Sequence, residues 1–200
     1  MRTRGRKVLE HAAAGMLPSW SEASRKRREH MERVAGVMGD WAERMGLDEE
    51  QRVRWVAVGW LHDVLRDATA SQMRPWLEDR FRALPESFWH GPVTAVRLAE
   101  DGVEDDEVLD AIRYHTVGHP DLGPVGRALI AADFLEPGRK ERAGWNAARR
   151  KCAPEQLTVV VQDVLCAKLE RALEHKQPIR PEMVAMWNAL AAERNAGPRS

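Results

Sequence analysis

The segment RVRWVAVGWLHDVLRD, residues 52–67, is predicted to be the centre around which this chain folds. Its residues 53–65 are apolar on almost every side, and a helix of that composition belongs in the interior of a domain. His62 and Asp63 nevertheless stand side by side in its most apolar part. A buried carboxylate is costly unless a cation or hydrogen-bond donors satisfy it. The pair therefore indicates either a core histidine beside a donor or, as the adjacent acid favours, a metal site.

Composition narrows the class of protein. Two hundred residues are enough for one domain with a sizeable core. Lys+Arg and Asp+Glu are balanced at 31 each, so the net charge points to no nucleic-acid or membrane partner. Cys152 and Cys166 lack metal-site spacing and predict thiols of a reducing compartment. Because no apolar run reaches bilayer length and no signal peptide is recognisable, we expect a cytoplasmic protein, with monomer and homodimer both left open.

Apolar residues recur with helical spacing and no segment alternates like a strand, which predicts an all-α fold. We expect an N-terminal extension or short helix over residues 1–20, a helical domain over 21–194 and a disordered tail over 195–200. Asp48, followed by Gln51, resembles a capping box that opens the central helix. Residues 68–89 predict only short helical pieces. The predicted helices cover residues 5–15, 21–45, 48–67, 92–100, 105–114, 125–136, 154–175 and 181–194.

Six polar residues from five segments are predicted to face the core. They are His30, His62, Asp63, His90, His115 and Asp133. Imidazole and carboxylate ligands together suit Fe, Mn, Zn, Co or Ni. Six protein ligands are too many for one catalytic metal that keeps an open position, whereas they suit two metals that share a carboxylate. Any one of these histidines could instead be a satisfied core residue, but convergence of all the segments by accident is much less expected.

The order His…His-Asp…His…His…Asp resembles that of the HD-domain metal-dependent phosphohydrolases. The local motifs are similar to the YqeK-like family of symmetrical bis(5'-nucleosyl)-tetraphosphatases, and the resemblance covers residues 24–190. Arg66 stands where relatives commonly have a lysine, and residues 68–89 match only loosely. The motifs that carry the resemblance are Arg27-x-x-His30, Leu61-His62-Asp63, His90-Gly91, Ala111-Ile112-x-x-His115-Thr116-x-Gly118 and Ala132-Asp133-x-x-Glu136-Pro137-x-Arg139.

The resemblance implies an HD-domain helical bundle around a dinuclear metal site, with iron as the expected metal and Mn, Co, Ni or Zn as alternatives. Asp63 is the expected shared ligand and, with Arg66, a catalytic residue. A hydroxide that bridges the metals would attack diadenosine tetraphosphate and give two ADP. The division of the other ligands is a hypothesis, with one metal on His30, His62 and Asp133 and the other on Asp63, His90 and His115. The residues proposed to contact phosphate are Arg27, Arg66, Arg139 and Thr116.

Three of these four phosphate contacts have an ordinary alternative. Arg27 lies in a basic run that could be a solvated helix face, although it shares a face with His30. Arg139 could cap the preceding helix or pair with Glu136. Thr116 could orient its neighbouring ligand or bond only to backbone.

Three other functions compete with the first. The chain could be an HD phosphohydrolase that acts on another nucleotide or phosphate ester. It could be a nucleotide-binding sensor without catalysis, although a degenerate sensor is expected to have lost a ligand and this chain keeps all six. A plain helical interaction module would leave the two acids on core faces unexplained.

Overall fold

The computed structural model describes residues 3–195, and that part of the chain consists of α-helices, 3-10 turns and loops without a strand. The predicted all-α fold is confirmed. The predicted tail lies outside the described residues except for Asn195, where the last helix ends. The helices are α1 (Thr3–Ala13), α2 (Arg25–Arg44), α3 (Glu49–Leu61), α4 (Ala70–Met73), α5 (His90–Glu100), α6 (Asp106–Tyr114), α7 (Pro124–Leu135), α8 (Ala143–Glu174) and α9 (Pro181–Asn195). Within residues 3–195, no helix has both the length and the apolar content needed to cross a membrane.

Helix α3 is the centre of the fold, as its composition predicts. Helices α1, α2, α6 and α7 all pack against it, and Val58 and Leu61 are fully buried. Gly59 allows the closest approach, because a Cβ atom there would lie 2.5 Å from the Cα atom of Ala35 in α2. Leu9 of α1 is also buried, so the described part of the N-terminal segment belongs to the core.

The predicted extent of α3 is wrong at one end. The capping box of Asp48 and Gln51 is present at its start, but the helix ends at Leu61 instead of continuing to residue 67. His62 caps it, with its ring Nδ1 2.8 Å from the carbonyl oxygen of Gly59, and residues 62–67 form turns. His62 and Asp63 therefore stand at the C-terminal end of the central helix and not in its middle.

The start of α8 also differs from the prediction. A proline is well suited to a first helical turn, so Pro154 was expected to open the helix. It lies instead inside a longer helix, and the backbone leaves helical angles nearby at Gln156 (φ −136°, ψ 38°). A proline inside a helix leaves the carbonyl four residues earlier without its usual partner. Trp41 of α2 supplies the replacement, because its indole Nε1 donates to the Arg150 carbonyl at 3.1 Å.

Two other helix starts are shifted for local reasons. The side chain of Ser24 accepts a backbone N–H of the first turn and caps α2, whereas the Ser21 hydroxyl, the expected start, donates to the Pro18 carbonyl at 2.7 Å. Helix α5 begins at His90 and not at Pro92. His90 therefore belongs to the first turn of a helix, which fixes the direction of its side chain.

Candidate metal centre

The structure brings the six predicted residues together where α2, α3, α5, α6 and α7 meet. Five of them are buried and Asp133 is partly buried. Their ligand atoms form two groups, and within each group all three atoms lie within 4.8 Å of one another. The groups are His30 with His62 and Asp133, and Asp63 with His90 and His115. The sequence hypothesis divided the ligands in the same way.

Asp63 lies between the two groups. Its Oδ1 atom is 3.1 Å from Nε2 of His90 and 3.6 Å from Nε2 of His115. Its Oδ2 atom is 3.6 Å from Nε2 of His62 and 3.8 Å from Nε2 of His30. One carboxylate thus turns a different oxygen towards each group, a geometry that allows it to be shared by two cations.

The far side of each imidazole ring is held by an acceptor. The Nδ1 atoms of His62, His90 and His115 donate to the backbone carbonyl three residues earlier, at 2.8, 3.1 and 2.8 Å. His30 differs, because its Nδ1 lies 3.3 Å from Oε1 of Glu136. A carbonyl oxygen can only accept, so the hydrogen of each neutral ring sits on Nδ1 and the Nε2 lone pair faces the site. Metal-ligating histidines are held in this way.

The inward-facing atoms are not satisfied by one another. Nε2 of His62 and Nε2 of His30 are buried and have no hydrogen-bond partner, although Nε2 of His30 lies 3.1 Å from Oδ1 of Asp133. Nε2 of His90 and Nε2 of His115 face each other at 3.2 Å. Lone pairs at that distance repel unless a proton or a cation lies between them. The donor set of four imidazoles and two carboxylates therefore fits two transition-metal ions.

Burial and neighbouring charges set the protonation of the site. Complete burial lowers the pKa of His62 to about 4, and burial also lowers the pKa of His90, so both rings are neutral at pH 7. Burial alone would lower the pKa of His30, but neighbouring carboxylates, Asp133 first, raise it to about 9. Burial would raise the pKa values of Asp63 and Asp133, yet the facing imidazoles hold both below their usual range. Both carboxylates are therefore ionised, as metal ligands must be.

Glu136 supports the site, a role that the sequence reasoning missed. It is 2% exposed, and its Oε2 atom accepts from Nε of Arg33 and from the backbone N–H of Gly138, both at 2.6 Å. Burial would raise its pKa, but hydrogen bonds with His30 and Arg33 outweigh burial and lower it to about 2. The sequence feature that could have identified Glu136 is its position three residues after Asp133 in the Ala-Asp-x-x-Glu-Pro motif.

Two of the predicted phosphate-binding arginines form hydrogen bonds with the candidate metal ligands. Nη1 of Arg27 donates to Oδ2 of Asp63 at 2.6 Å, and its Nε atom is 3.9 Å from Asp67. Nη2 of Arg139 donates to Oδ1 of Asp133 at 2.9 Å, and its Nε atom donates to the Asp133 carbonyl at 3.3 Å. Both guanidinium groups are therefore partly committed to positioning carboxylates.

The other two predicted contacts lie near the second group of ligands. The Arg66 side chain is partly buried, and no acceptor or carboxylate within residues 3–195 pairs with its guanidinium. Its charge adds to burial in lowering the pKa of His90. The Thr116 hydroxyl lies 3.0 Å from Nε2 of His115 and 3.4 Å from Nε2 of His90, so it faces the ligand nitrogens and not only the backbone.

Two cavities open beside the centre, and Gly138 and Arg139 line both of them. The smaller, of about 490 Å³, is also lined by His30. The larger, of about 840 Å³, is also lined by Asp133. One member of the first ligand group thus reaches each cavity, with Arg139 between them.

Comparisons with known proteins agree with this geometry. A family model described as "HD domain" matches residues 27–168. A protein of Halalkalibacterium halodurans named "Bis(5'-nucleosyl)-tetraphosphatase, symmetrical" is 28% identical over 173 residues, which cover 84% of this chain and 90% of that protein. A protein of Bacillus subtilis with the same name is 30% identical over 105 residues, covering 52% of this chain and 55% of that one.

A solved structure has the same fold. It is described as a predicted HD superfamily hydrolase involved in NAD metabolism from Clostridium acetobutylicum. It superimposes with a TM-score of 0.74 at 19% sequence identity, and the match covers 94% of this chain and 96% of that one.

Proposed function

The chain belongs to the HD domain family and is a metal-dependent phosphohydrolase, and we propose that it hydrolyses diadenosine tetraphosphate symmetrically to two ADP. The observation that carries the proposal is the position of Asp63, whose two oxygens face two separate groups of ligand atoms. The similarity to relatives named as symmetrical bis(5'-nucleosyl)-tetraphosphatases supports the choice of substrate.

Two cations fit the proposed ligands. His30, His62 and Asp133 would hold one, His90 and His115 the other, and Asp63 would contribute to both. Iron is the proposed metal, with Mn, Co, Ni or Zn as alternatives that the same imidazole and carboxylate donors accept. When bound, the cations would supply Lewis-acid chemistry, lowering the pKa of the attacking water and neutralising charge on the phosphate oxygens.

The reaction adds water across the bond between the two central phosphates. The bond from one central phosphorus to the bridging oxygen breaks, that phosphorus gains the oxygen of the water, and the leaving oxygen stays on the second ADP. The protons of the water are released to solvent, so the two ADP products together carry more negative charge than diadenosine tetraphosphate. Cationic donors beside the centre therefore stabilise the products and the transition state that precedes them.

Among the proposed phosphate contacts, Arg66 is the most available. Its guanidinium has no anionic partner in the described part of the chain, so its planar donors are free for phosphate oxygens. Arg27 and Arg139 would present their remaining N–H groups while they hold Asp63 and Asp133 in place. The Thr116 hydroxyl, next to His115, would donate a hydrogen bond to a phosphate oxygen of the substrate.

The experiment is hydrolysis of diadenosine tetraphosphate by anaerobically prepared protein, with metal content measured on the same sample. We expect ADP as the only nucleotide product and two metals per chain. AMP with ATP would contradict symmetrical cleavage. Much faster turnover of a monophosphate or a cyclic dinucleotide would mean that the enzyme acts on another substrate of the family. If the protein holds both metals and hydrolyses none of these compounds, a sensor is favoured.

Substitution of Arg66 tests its role. Arg66→Ala should lower kcat/KM by roughly 10- to 100-fold, the range expected for the loss of a charge-assisted hydrogen bond. Arg66→Lys should recover only part, because an ammonium lacks the planar fork of donors. Arg74→Ala is the matched control, since Arg74 is an exposed arginine that pairs with Glu86 at 3.8 Å. Equal activity of Arg66→Ala and the control would remove Arg66 from the mechanism.

A further inference from the structure

The larger cavity lies between the end of α7 and the face of α8. Its volume of about 840 Å³ is within the range of small-molecule sites, roughly 300–1,000 Å³. Asp133, a candidate metal ligand, is part of its wall, and so is the ring of Phe134, which packs edge-on against Trp145 at 6.2 Å. The cavity therefore joins the metal centre to a surface that has both aromatic and polar groups.

Positive charge predominates on the cavity wall. The cations are Arg139, Lys140, Arg142, Lys168 and Arg171, and the acids are Asp133, Glu141 and Glu174. Most of the arginines are paired, since Arg171 donates to Glu141 at 2.8 Å and Arg139 donates to Asp133 at 2.9 Å. The unpaired positive charge thus falls on lysines.

Lys168 lines the larger cavity beside Asp133 and, like Arg66 near the second ligand group, lacks an anionic partner in the described part of the chain. Its side chain is partly buried on α8, and no carboxylate in the described ranges lies within ion-pair distance of its ammonium. Burial lowers its pKa, and Asp133 opposes that effect. A partly buried ammonium without a counter-ion is costly, and an anionic ligand that enters the cavity would remove the cost.

We propose that the larger cavity is a nucleotide subsite in which Lys168 binds a phosphate of one ADP half of the substrate. The inference rests on the proposed function for the identity of the nucleotide. The phosphates would extend from the metal centre past Asp133 to Lys168, and the nucleoside would lie along the wall that Phe134 forms. The ligand class is a nucleoside diphosphate, alone as product or as part of a dinucleoside polyphosphate.

The test is calorimetric titration of the metal-loaded protein with ADP. Lys168→Met removes the charge and keeps most of the side-chain bulk. It should weaken ADP binding by roughly 10- to 100-fold, the cost of one charge-assisted hydrogen bond. Lys26→Met is the matched control, because Lys26 is a lysine on the wall of the smaller cavity, and it should change ADP affinity by less than about twofold.

Three results would overturn the subsite. Lys168→Met could bind ADP as the wild type does, Lys26→Met alone could weaken binding, or Lys168→Met could lose metal along with ADP, which would mean that it only supports Asp133. Because the titration measures binding without turnover, it tests the nucleotide subsite independently of the proposed hydrolysis. Binding that depends on Lys168 in a protein without hydrolase activity would keep the subsite and remove the proposed reaction.

Discussion

A Cβ atom on Gly91 would lie 3.2 Å from Cε1 of the His115 ring and 2.7 Å from the carbonyl oxygen of Ile112. Gly91 follows the candidate ligand His90 in the first turn of α5, and His115 caps the C-terminal end of α6. A residue without a side chain at this position therefore lets α5 approach α6 until the two histidines face each other. The close approach of α5 to α6 explains why glycine follows histidine in the His90-Gly91 motif.

Gly91→Ala should disturb the second ligand group. The added methyl group must push the His115 ring or the Ile112 backbone aside, and overpacking of this kind costs roughly 1–3 kcal/mol. We expect fewer than two metals per chain and a lower melting temperature, measured by elemental analysis and thermal unfolding. Gly36→Ala is the control, because a Cβ on Gly36 in α2 would meet nothing within 4 Å. A Gly91→Ala protein with two metals and the wild-type melting temperature would refute this explanation.

The two candidate carboxylate ligands should differ in what their loss does. Asp63 faces both groups of ligand atoms, whereas Asp133 belongs to one. Asp63→Asn should therefore reduce metal content towards zero, and Asp133→Asn should reduce it towards one per chain. Elemental analysis after dialysis against buffer without chelator separates these outcomes. Equal metal content in the two variants would exclude Asp63 as a shared ligand.

The grouping of the candidate ligands could be predicted because they are polar residues in apolar surroundings. His62 and Asp63 are polar residues in the most apolar stretch of the chain, and His115 and Asp133 fall on the apolar faces of their helices. Local periodicity is enough to reveal such conflicts, and the helical fold follows from the same periodicity. The capping box at Asp48 was predictable for the same reason, since all its atoms come from four consecutive residues.

The parts that the sequence did not predict depend on contacts between distant residues. Pro154 can lie inside α8 because Trp41, far away in the chain, donates to the carbonyl that the proline leaves free. Glu136 supports His30 across 106 residues of sequence. Its place in the Ala-Asp-x-x-Glu-Pro motif marks Glu136 as a residue of interest, but its partner His30 is identified only when α2 and α7 are packed together.

Removal of metal should destabilise the protein. The Nε2 atom of His62 is buried without a hydrogen-bond partner, and the facing Nε2 atoms of His90 and His115 have one hydroxyl, that of Thr116, to share, so bound cations would satisfy them better. At a free metal concentration 100 times the dissociation constant, each bound cation adds about 2.7 kcal/mol. For a chain of this length we expect each cation to raise the melting temperature by roughly 5–10 °C.

Differential scanning calorimetry of chelator-treated protein, with and without Mn²⁺, measures this rise. Mg²⁺ is the control ion, because it prefers oxygen ligands and should stabilise much less. His62→Ala removes a ligand of the first group only, so it should reduce the Mn²⁺ effect and leave part of it. An equal response to Mg²⁺ and Mn²⁺ would count against a site built from imidazoles.

Glu136→Gln should weaken the first ligand group without touching a ligand. Glu136 holds Nδ1 of His30 at 3.3 Å and is held in turn by Arg33. The carboxylate fixes the ring orientation and makes Nε2 a stronger donor to a cation, and partners of this kind contribute roughly 10- to 100-fold in metal affinity. A neutral amide keeps the shape of the side chain and loses the charge. Competition with a chelator should therefore show one metal released more easily, with the second retained.

The matched control is Glu155→Gln, which removes the charge of an exposed glutamate that also accepts from an arginine, Arg44, at 3.1 Å. It should leave both metal affinities within about twofold of the wild type, because an exposed pair contributes little. If Glu136→Gln also retains wild-type affinity for both metals, then backbone packing alone orients His30. In that case the presence of Glu136 beside Asp133 in the motif would need another explanation. One is the turn after α7, in which the Glu136 side chain accepts a hydrogen bond from the Gly138 backbone N–H.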